Sequence, residues 1–324
     1  MTQPVSLGEC KKLEKVELHA HLNGSISIAT IGKLLKIEGR SNIVIPTDFV
    51  LKQPTTMEEV FKMFPLIQKL TEKPENLRIA VEDVMREFEE DGVVYLELRT
   101  TPKCTEFMSK KEYVDVILEA IRRLEDRRKM KTRLILSIDR RQNIEEAEET
   151  AKIAIDDDSG LIVGIELSGN PILDGTKFIP TLQKARNSNL GISIHLAEVE
   201  ENTQEIMDFL IFRPDRIGHG TFLHKNSEFV RIMRDLRIPL EICLTSNTLC
   251  KTTKTIAESH LPFWKDLGIP IAICTDDKGL MNDCNLSEEF EKASVNFGFS
   301  KRDLENICKT SFDISFFSRR DKKL

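Results

Sequence analysis

The stretch Val16-Glu17-Leu18-His19-Ala20-His21-Leu22-Asn23-Gly24-Ser25 reads as a β-strand over residues 15–20 that ends at two histidines. Side chains alternate along a strand, so His19 and His21 project from the same face. Neutral imidazole is a common ligand for zinc. Two later apolar runs also end in metal-ligating residue types. Ile194-His195-Leu196-Ala197-Glu198 supplies a third imidazole, and Cys274-Thr275-Asp276-Asp277 supplies an acidic pair. The pattern predicts one mononuclear metal site assembled from distant strand ends.

Outward from that first strand, apolar runs recur at 93–98, 133–138, 161–167, 191–194, 215–218, 238–243 and 270–274. Segments with helical spacing lie between them at 109–130, 143–157, 177–188, 202–211, 226–236 and 255–267, with polar faces rich in Glu, Lys and Arg. Eight strand-then-helix units with nearly continuous apolar strands favour a closed (β/α)8 TIM barrel, of class α/β, over an open doubly wound sheet. Some seventy residues separate the first two strands, with helical spacing near 25–37, 57–71 and 75–90. Thr56, followed by Glu58 and Glu59, marks a helix start in that stretch. One crossover helix needs far less chain, so the surplus is expected as a helical lid over one end of the barrel. Residues 1–14 form an N-terminal arm, and 286–318 form extra C-terminal helices packed outside. No repeat or linker divides the chain, so residues 1–324 are expected as a single domain.

Composition sets the bounds. The 324 residues are 40% hydrophobic, enough for one large core, and 47 basic against 53 acidic residues give a net charge of −6. That surface offers no basic footprint for nucleic acid. Seven cysteines without a CxxC pair read as reduced thiols. No run reaches the length of a membrane span, and the N-terminus lacks a signal pattern. A monomeric, cytoplasmic chain is the expectation.

The polar residues converge on one end. His19 and His21 follow strand one, Arg99 to Lys103 strand two and Asp139 strand three. Ser168, Gly169 and Asn170 follow strand four, His195 and Glu198 five, His219 six, Thr245 to Asn247 seven, and Asp276 and Asp277 eight. In this fold such positions share one mouth, where active sites sit. Any one of these histidines is as readily a structural residue, and the acidic pair a helix cap. Jointly, three imidazoles and a carboxylate suit zinc with an open position for water. Water bound there becomes far more acidic, its pKa falling from 15.7 to about 7. His219, between two glycines in Arg216-Ile217-Gly218-His219-Gly220, is the candidate to orient that water and take its proton, with Asp277 as partner. Glu198 either caps the next helix or serves as a general acid. Thr100, Thr101, Lys103 and Arg140 place hydroxyls and cations at the mouth, suited to a phosphate or else merely solvated. His224 and His260 read as structural.

The motifs His-x-His-Leu-x-Gly-Ser, Ser-Gly-Asn-Pro, His-x-x-Glu, Arg-Ile-Gly-His-Gly and Thr-Asp-Asp, in this order over nearly the whole chain, resemble the adenosine/AMP deaminase family of zinc amidohydrolases. The resemblance implies that His19, His21, His195 and Asp276 bind one zinc ion. It implies that Glu198 protonates the purine ring nitrogen, that His219 and Asp277 handle the attacking water, and that Gly169 offers its backbone to the purine. Leu-Arg-Thr-Thr-Pro, Ser-Ile-Asp-Arg-Arg and Thr-Asp-Asp-Lys-Gly are similar to the N6-methyl-AMP deaminase branch. That branch converts N6-substituted AMP to IMP and an alkylamine. Its substrate contacts would fall on His21, Asn23, Gln68, Thr100, Thr101, Pro102, Lys103, Asp139, Gly169 and Asp277. Asn23 stands where nucleoside-acting relatives carry Asp, and a neutral amide can donate to a phosphate that a carboxylate would repel. Gln68 stands where branch members tend to carry His. Two other readings are an adenosine or deoxyadenosine deaminase without a phosphate pocket, and a catalytically silent purine-binding protein.

Overall fold

Eight extended segments pair side by side in chain order, all parallel: β1 Lys15–His21, β2 Val93–Thr100, β3 Lys131–Asp139, β4 Ile162–Ser168, β5 Gly191–Leu196, β6 Arg216–His219, β7 Leu240–Ile242 and β8 Ile271–Ile273. The seam between β8 and β1 is joined where Ala20 bridges to Asp276: the His21 N–H donates to the Asp276 carbonyl at 3.1 Å, and the Asp276 N–H to the His19 carbonyl at 2.8 Å. The result is a (β/α)8 TIM barrel. The computed structural model describes residues 3–40, 50–55, 59, 64–125, 127–200 and 203–317.

A short helix, α1 Leu7–Cys10, precedes the first strand, and the others follow strands: α2 Ile28–Ile37, α3 Phe64–Leu70, α4 Pro74–Glu90, α5 Lys110–Glu125, α6 Ile144–Ile155, α7 Ile179–Asn187, α8 Thr203–Phe212, α9 Ser227–Leu236, α10 Leu244–Leu249, α11 Leu261–Asp266, α12 Leu286–Phe297 and α13 Lys301–Ile314. Local chemistry sets their starts. At α6 the Asn143 side chain accepts the Glu146 N–H while Glu146 reaches back to the Asn143 N–H, and Ser300 and Asp303 do the same at α13. The segment expected as one helix over 255–267 is a 3-10 turn at Ile256–Glu258 followed by α11, because Pro262 lacks an N–H and begins a new helix. The helix start expected at Thr56, Glu58 and Glu59 falls mostly outside the described residues. Among the described residues, no helix is long and apolar enough to cross a membrane.

The helix-facing side of the sheet is apolar, as the sequence predicts, but the barrel interior is not. Glu17, Glu97, Arg99, Glu166, Arg216 and Glu241 are all fully buried. Arg99 donates to Glu166 and to Glu241, each at 2.5 Å, and Arg216 donates to Glu241 at 2.6 Å and to Glu97 at 2.5 Å. A charge buried in the interior persists only when paired in this way. Below the network the chain after α13 turns under the barrel. The Phe316 ring lies against Gly164 and Gly191, where added β-carbons would fall 2.7 and 2.4 Å from it, and 3.6 Å from the Arg216 guanidinium. The C-terminal helices do pack outside, yet their extension forms the barrel floor.

Candidate metal and substrate site

Three imidazole nitrogens and one carboxylate oxygen meet at the opposite end of the barrel. His195 Nε2 lies 3.0 Å from His19 Nε2 and 3.2 Å from His21 Nε2, and Asp276 Oδ1 lies 3.7 and 3.4 Å from the same two nitrogens. A tetrahedron of ligands at about 2.0–2.1 Å from zinc has edges of roughly 3.3–3.4 Å, so this spacing is that of a cation cage. Four acceptor atoms at such distances repel one another without a positive charge among them. His19, His21, His195 and Asp276 therefore fit a divalent metal by donor chemistry as well as geometry. Burial, with Arg99 and neighbouring rings adding to it for His19, and the rings first for His195, pushes both imidazoles well below their ordinary pKa. Neutral rings are what a metal requires.

The surroundings orient each ligand. His19 Nδ1 lies 2.8 Å from Glu241 Oε2, which places the ring proton on Nδ1 and the lone pair on Nε2. Ser246 Oγ donates to Asp276 Oδ2 at 2.6 Å, leaving Oδ1 toward the histidines. A β-carbon at Gly218 would come within 2.7 Å of the His19 ring, so only glycine admits that ring. At Gly24 a β-carbon would fall 1.6 Å from Asp277 Oδ1. Three strand ends turn through left-handed backbone at non-glycine residues: Ala197 (φ 54°), His219 (φ 60°) and Asp276 (φ 65°). Such conformations cost on the order of 1–3 kcal/mol each and concentrate at functional sites.

Above the cage opens a cavity of about 390 Å³, within the roughly 300–1,000 Å³ range of small-molecule sites. It is bordered by most of the residues the sequence points to: His21, Asn23, Gln68, Thr100, Thr101, Lys103, Asp139, Gly169, His195, Glu198, His219, Asp276 and Asp277. Phe64, Pro65 and Gln68 come from α3, so the insertion after β1 does border the mouth. Asn23 Oδ1, Glu198 Oε1 and Asp277 Oδ1 are buried with no hydrogen-bond partner among the described residues. Buried polar atoms are rarely left so, and all three belong to residues that border the cavity. Burial, reinforced by Asp276 and Glu166 and opposed by His219, raises the Glu198 pKa; burial and the Asp276, Glu166 and Glu198 charges raise Asp277 well above the carboxylate range. His219 Nδ1 lies 2.9 Å from Asn247 Oδ1, while its Nε2 faces Glu198 at 3.7 Å and Asp276 at 3.8 Å. Although burial alone would lower it, the Glu198 and Asp276 carboxylates carry its pKa upward.

Several expectations change at the rim. Arg140 is not a cation of the mouth. It is buried, paired with Glu205, and donates to the His195 carbonyl at 2.7 Å and the Leu173 carbonyl at 2.8 Å. Arg141 borders the cavity instead, and it grips Asp139 through Nε at 2.9 Å and Nη2 at 2.6 Å. The apolar ring of Pro102 is buried and does not border the cavity, whereas its neighbours Thr101 and Lys103 do. The Thr100 hydroxyl is engaged by Tyr113 Oη at 2.8 Å. Lys103 donates to the Gln68 carbonyl at 3.0 Å, tying α3 to the end of β2, and burial lowers its pKa to about 8. Ser246 and Asn247, from the polar run expected at the mouth after β7, act on Asp276 and His219, whereas Glu166 and Glu241 act on the site without being singled out for it by sequence. The available signal was a charge at alternate positions within an otherwise apolar strand.

The model of the family described as adenosine deaminase matches residues 14–324. An adenosine deaminase-like protein of Caenorhabditis elegans is 42% identical over 312 residues, covering 95% of this chain and 80% of that one. The N6-methyl-AMP deaminase of Homo sapiens is 38% identical over 333 residues, covering 98% and 92%. The crystal structure of Arabidopsis ADAL complexed with IMP superposes with a TM-score of 0.87 at 36% identity, covering 95% of this chain and 93% of that one.

Proposed function

This chain belongs to the adenosine deaminase family, and from that membership we propose that it hydrolyses N6-methyl-AMP, and related N6-substituted purine nucleoside monophosphates, to IMP and an alkylamine. The observation that carries the reading is the placement of three partnerless buried oxygens, on Asn23, Glu198 and Asp277, in one cavity directly above a four-ligand cage.

His19, His21, His195 and Asp276 are proposed to hold one zinc ion. When bound, the ion supplies Lewis acidity that lowers the pKa of a water molecule from 15.7 to about 7. His219, with Nδ1 engaged by Asn247, keeps its Nε2 lone pair toward the reacting water and accepts its proton. Asp277, adjacent to the cage, accepts a hydrogen bond from the same water. Burial raises the Glu198 pKa and so favours the protonated carboxyl, the form that can donate to the purine ring nitrogen as C6 is attacked. Water supplies the new C6 oxygen, the C6–N6 bond breaks, and methylamine leaves with the proton relayed by these groups. Gly169, whose φ of 101° lets its backbone approach without a side chain, borders the purine. Asn23, Thr101 and Lys103 serve the ribose phosphate, with Gln68 beside them.

Purified enzyme loaded with zinc should turn over N6-methyl-AMP with a clearly higher kcat/KM than adenosine. Preference for the bare nucleoside would overturn the monophosphate assignment and leave a nucleoside deaminase.

A further inference from the structure

His260 sits at the start of α11, outside the cavity, and its ring is buried. Its Nε2 lies 2.8 Å from the backbone carbonyl of His219. That carbonyl needs a donor for a specific reason. β6 pairs with β7 only through Ile217 and Gly218, so the sheet ladder on that side ends one residue before His219. At His219 the backbone enters the left-handed region with φ 60°, and Gly220 follows at φ 63°. The Gly220 N–H of the peptide leaving His219 still donates to the Leu196 carbonyl of β5 at 3.1 Å, but the His219 carbonyl lies beyond the last pair with β7. A buried carbonyl in that position stays unsatisfied unless a side chain reaches it.

The ring chemistry fixes the direction of the bond. His260 Nδ1 is buried with no hydrogen-bond partner among the described residues, and the ring stacks on His224 at 5.9 Å with planes 13° apart. Burial holds the imidazole neutral, with a pKa of about 3. A neutral imidazole has one proton, and an acceptor carbonyl places it on Nε2.

We infer that His260 is a positioning residue: its Nε2–H holds the His219 carbonyl and so locks the left-handed turn that aims the His219 ring at the reacting centre. The inference rests on the proposed role of His219 in handling water. His260 is not one of the cage residues, and among the described residues no other side chain reaches the His219 carbonyl.

Two amide variants separate the hydrogen bond from mere filling of space. In His260→Gln the amide nitrogen can occupy the position of the ring Nε2, whereas in His260→Asn the amide is shorter by one carbon and falls short. With N6-methyl-AMP as substrate, His260→Asn should lower kcat roughly 10- to 100-fold, the scale of a small misplacement of a reacting group. KM and zinc content, measured by atomic absorption, should stay at wild-type values, and His260→Gln should recover most of the rate. In a His219→Ala background, His260→Asn should cause no further loss, because its effect passes through His219. Equal behaviour of the Asn and Gln variants, parallel loss of zinc, or additive losses in the double variant would overturn the inference. Wild-type turnover by His219→Ala alone would instead overturn the role given to His219.

Discussion

Replacing Glu241 by Gln keeps the volume of the side chain and removes its charge. Glu241 Oε2 accepts from His19 Nδ1 at 2.8 Å and Arg99 Nη2 at 2.5 Å, while Oε1 accepts from Arg216 Nε at 2.6 Å. A carboxylate can accept on both sides; an amide cannot. Whichever way the new amide turns, its NH2 group faces a guanidinium or the His19 ring, donor against donor. The variant also leaves Arg99 and Arg216 to share only Glu97 and Glu166. Breaking a buried ion pair costs about 3–5 kcal/mol, a large part of a typical stability of roughly 5–15 kcal/mol. Losing the partner that orients a metal-binding imidazole typically weakens metal affinity about 10–100-fold, or roughly 1.4–2.7 kcal/mol. Urea unfolding of metal-free protein reads the first effect, and competition for zinc against a chelator of known affinity reads the second. A variant that loses stability but binds zinc as wild type would refute the argument that Glu241 orients His19. Unchanged stability would refute the account of the buried network.

Glu198→Gln should retain zinc while lowering kcat by about 10²–10⁴, the usual contribution of a positioned proton donor, in steady-state assays at neutral pH; near-normal turnover would remove Glu198 from the reaction. Asn23→Asp should reduce kcat/KM for N6-methyl-AMP more than for N6-methyladenosine, and equal losses would show that Asn23 does not serve the phosphate. Because His260 titrates at about 3 in the folded chain against an ordinary 6.5, the unfolded chain takes up a proton first as pH falls. Stability should therefore be lost as pH drops from about 6.5 toward 3, by up to about 1.4 kcal/mol per unit from this residue. His260→Gln should make the unfolding free energy less steep between pH 4 and 6, and an identical slope would contradict this. Phe316→Ala should cost about 3–5 kcal/mol in denaturant melts, as a buried ring is removed from the barrel floor; a loss below about 1 kcal/mol would mean the floor closes without it.

The strand ends were legible because catalysis confines a few residue types to one edge of a regular pattern. His19, His195, Glu198, His219 and Asp276 each close an apolar run, and the fold makes those closings neighbours. The supporting contacts were not legible. Glu241 lies 222 residues from His19 along the chain, and its strand reads as apolar with one charged interruption. Alternation tells which face such a charge occupies, but not its partner across the barrel. Arg140 and Arg141 were indistinguishable by type; the turn after β3 buries the first against Glu205 and leaves the second at the rim. Phe316 carries no local signal, since its role depends on two glycines that are distant in sequence. His260 resembled an ordinary buried histidine until the turn at His219 displayed a carbonyl in need of a donor.

The join between the first and last strands rests on a single bridged pair, Ala20 with Asp276, and the cage straddles it: two donors come from one side and the carboxylate from the other. An ion seated there rivets the cylinder shut at its weakest line. Stripping the ion should thus loosen the enzyme in one place first, with amide hydrogens flanking that line exchanging sooner than those of the remaining staves.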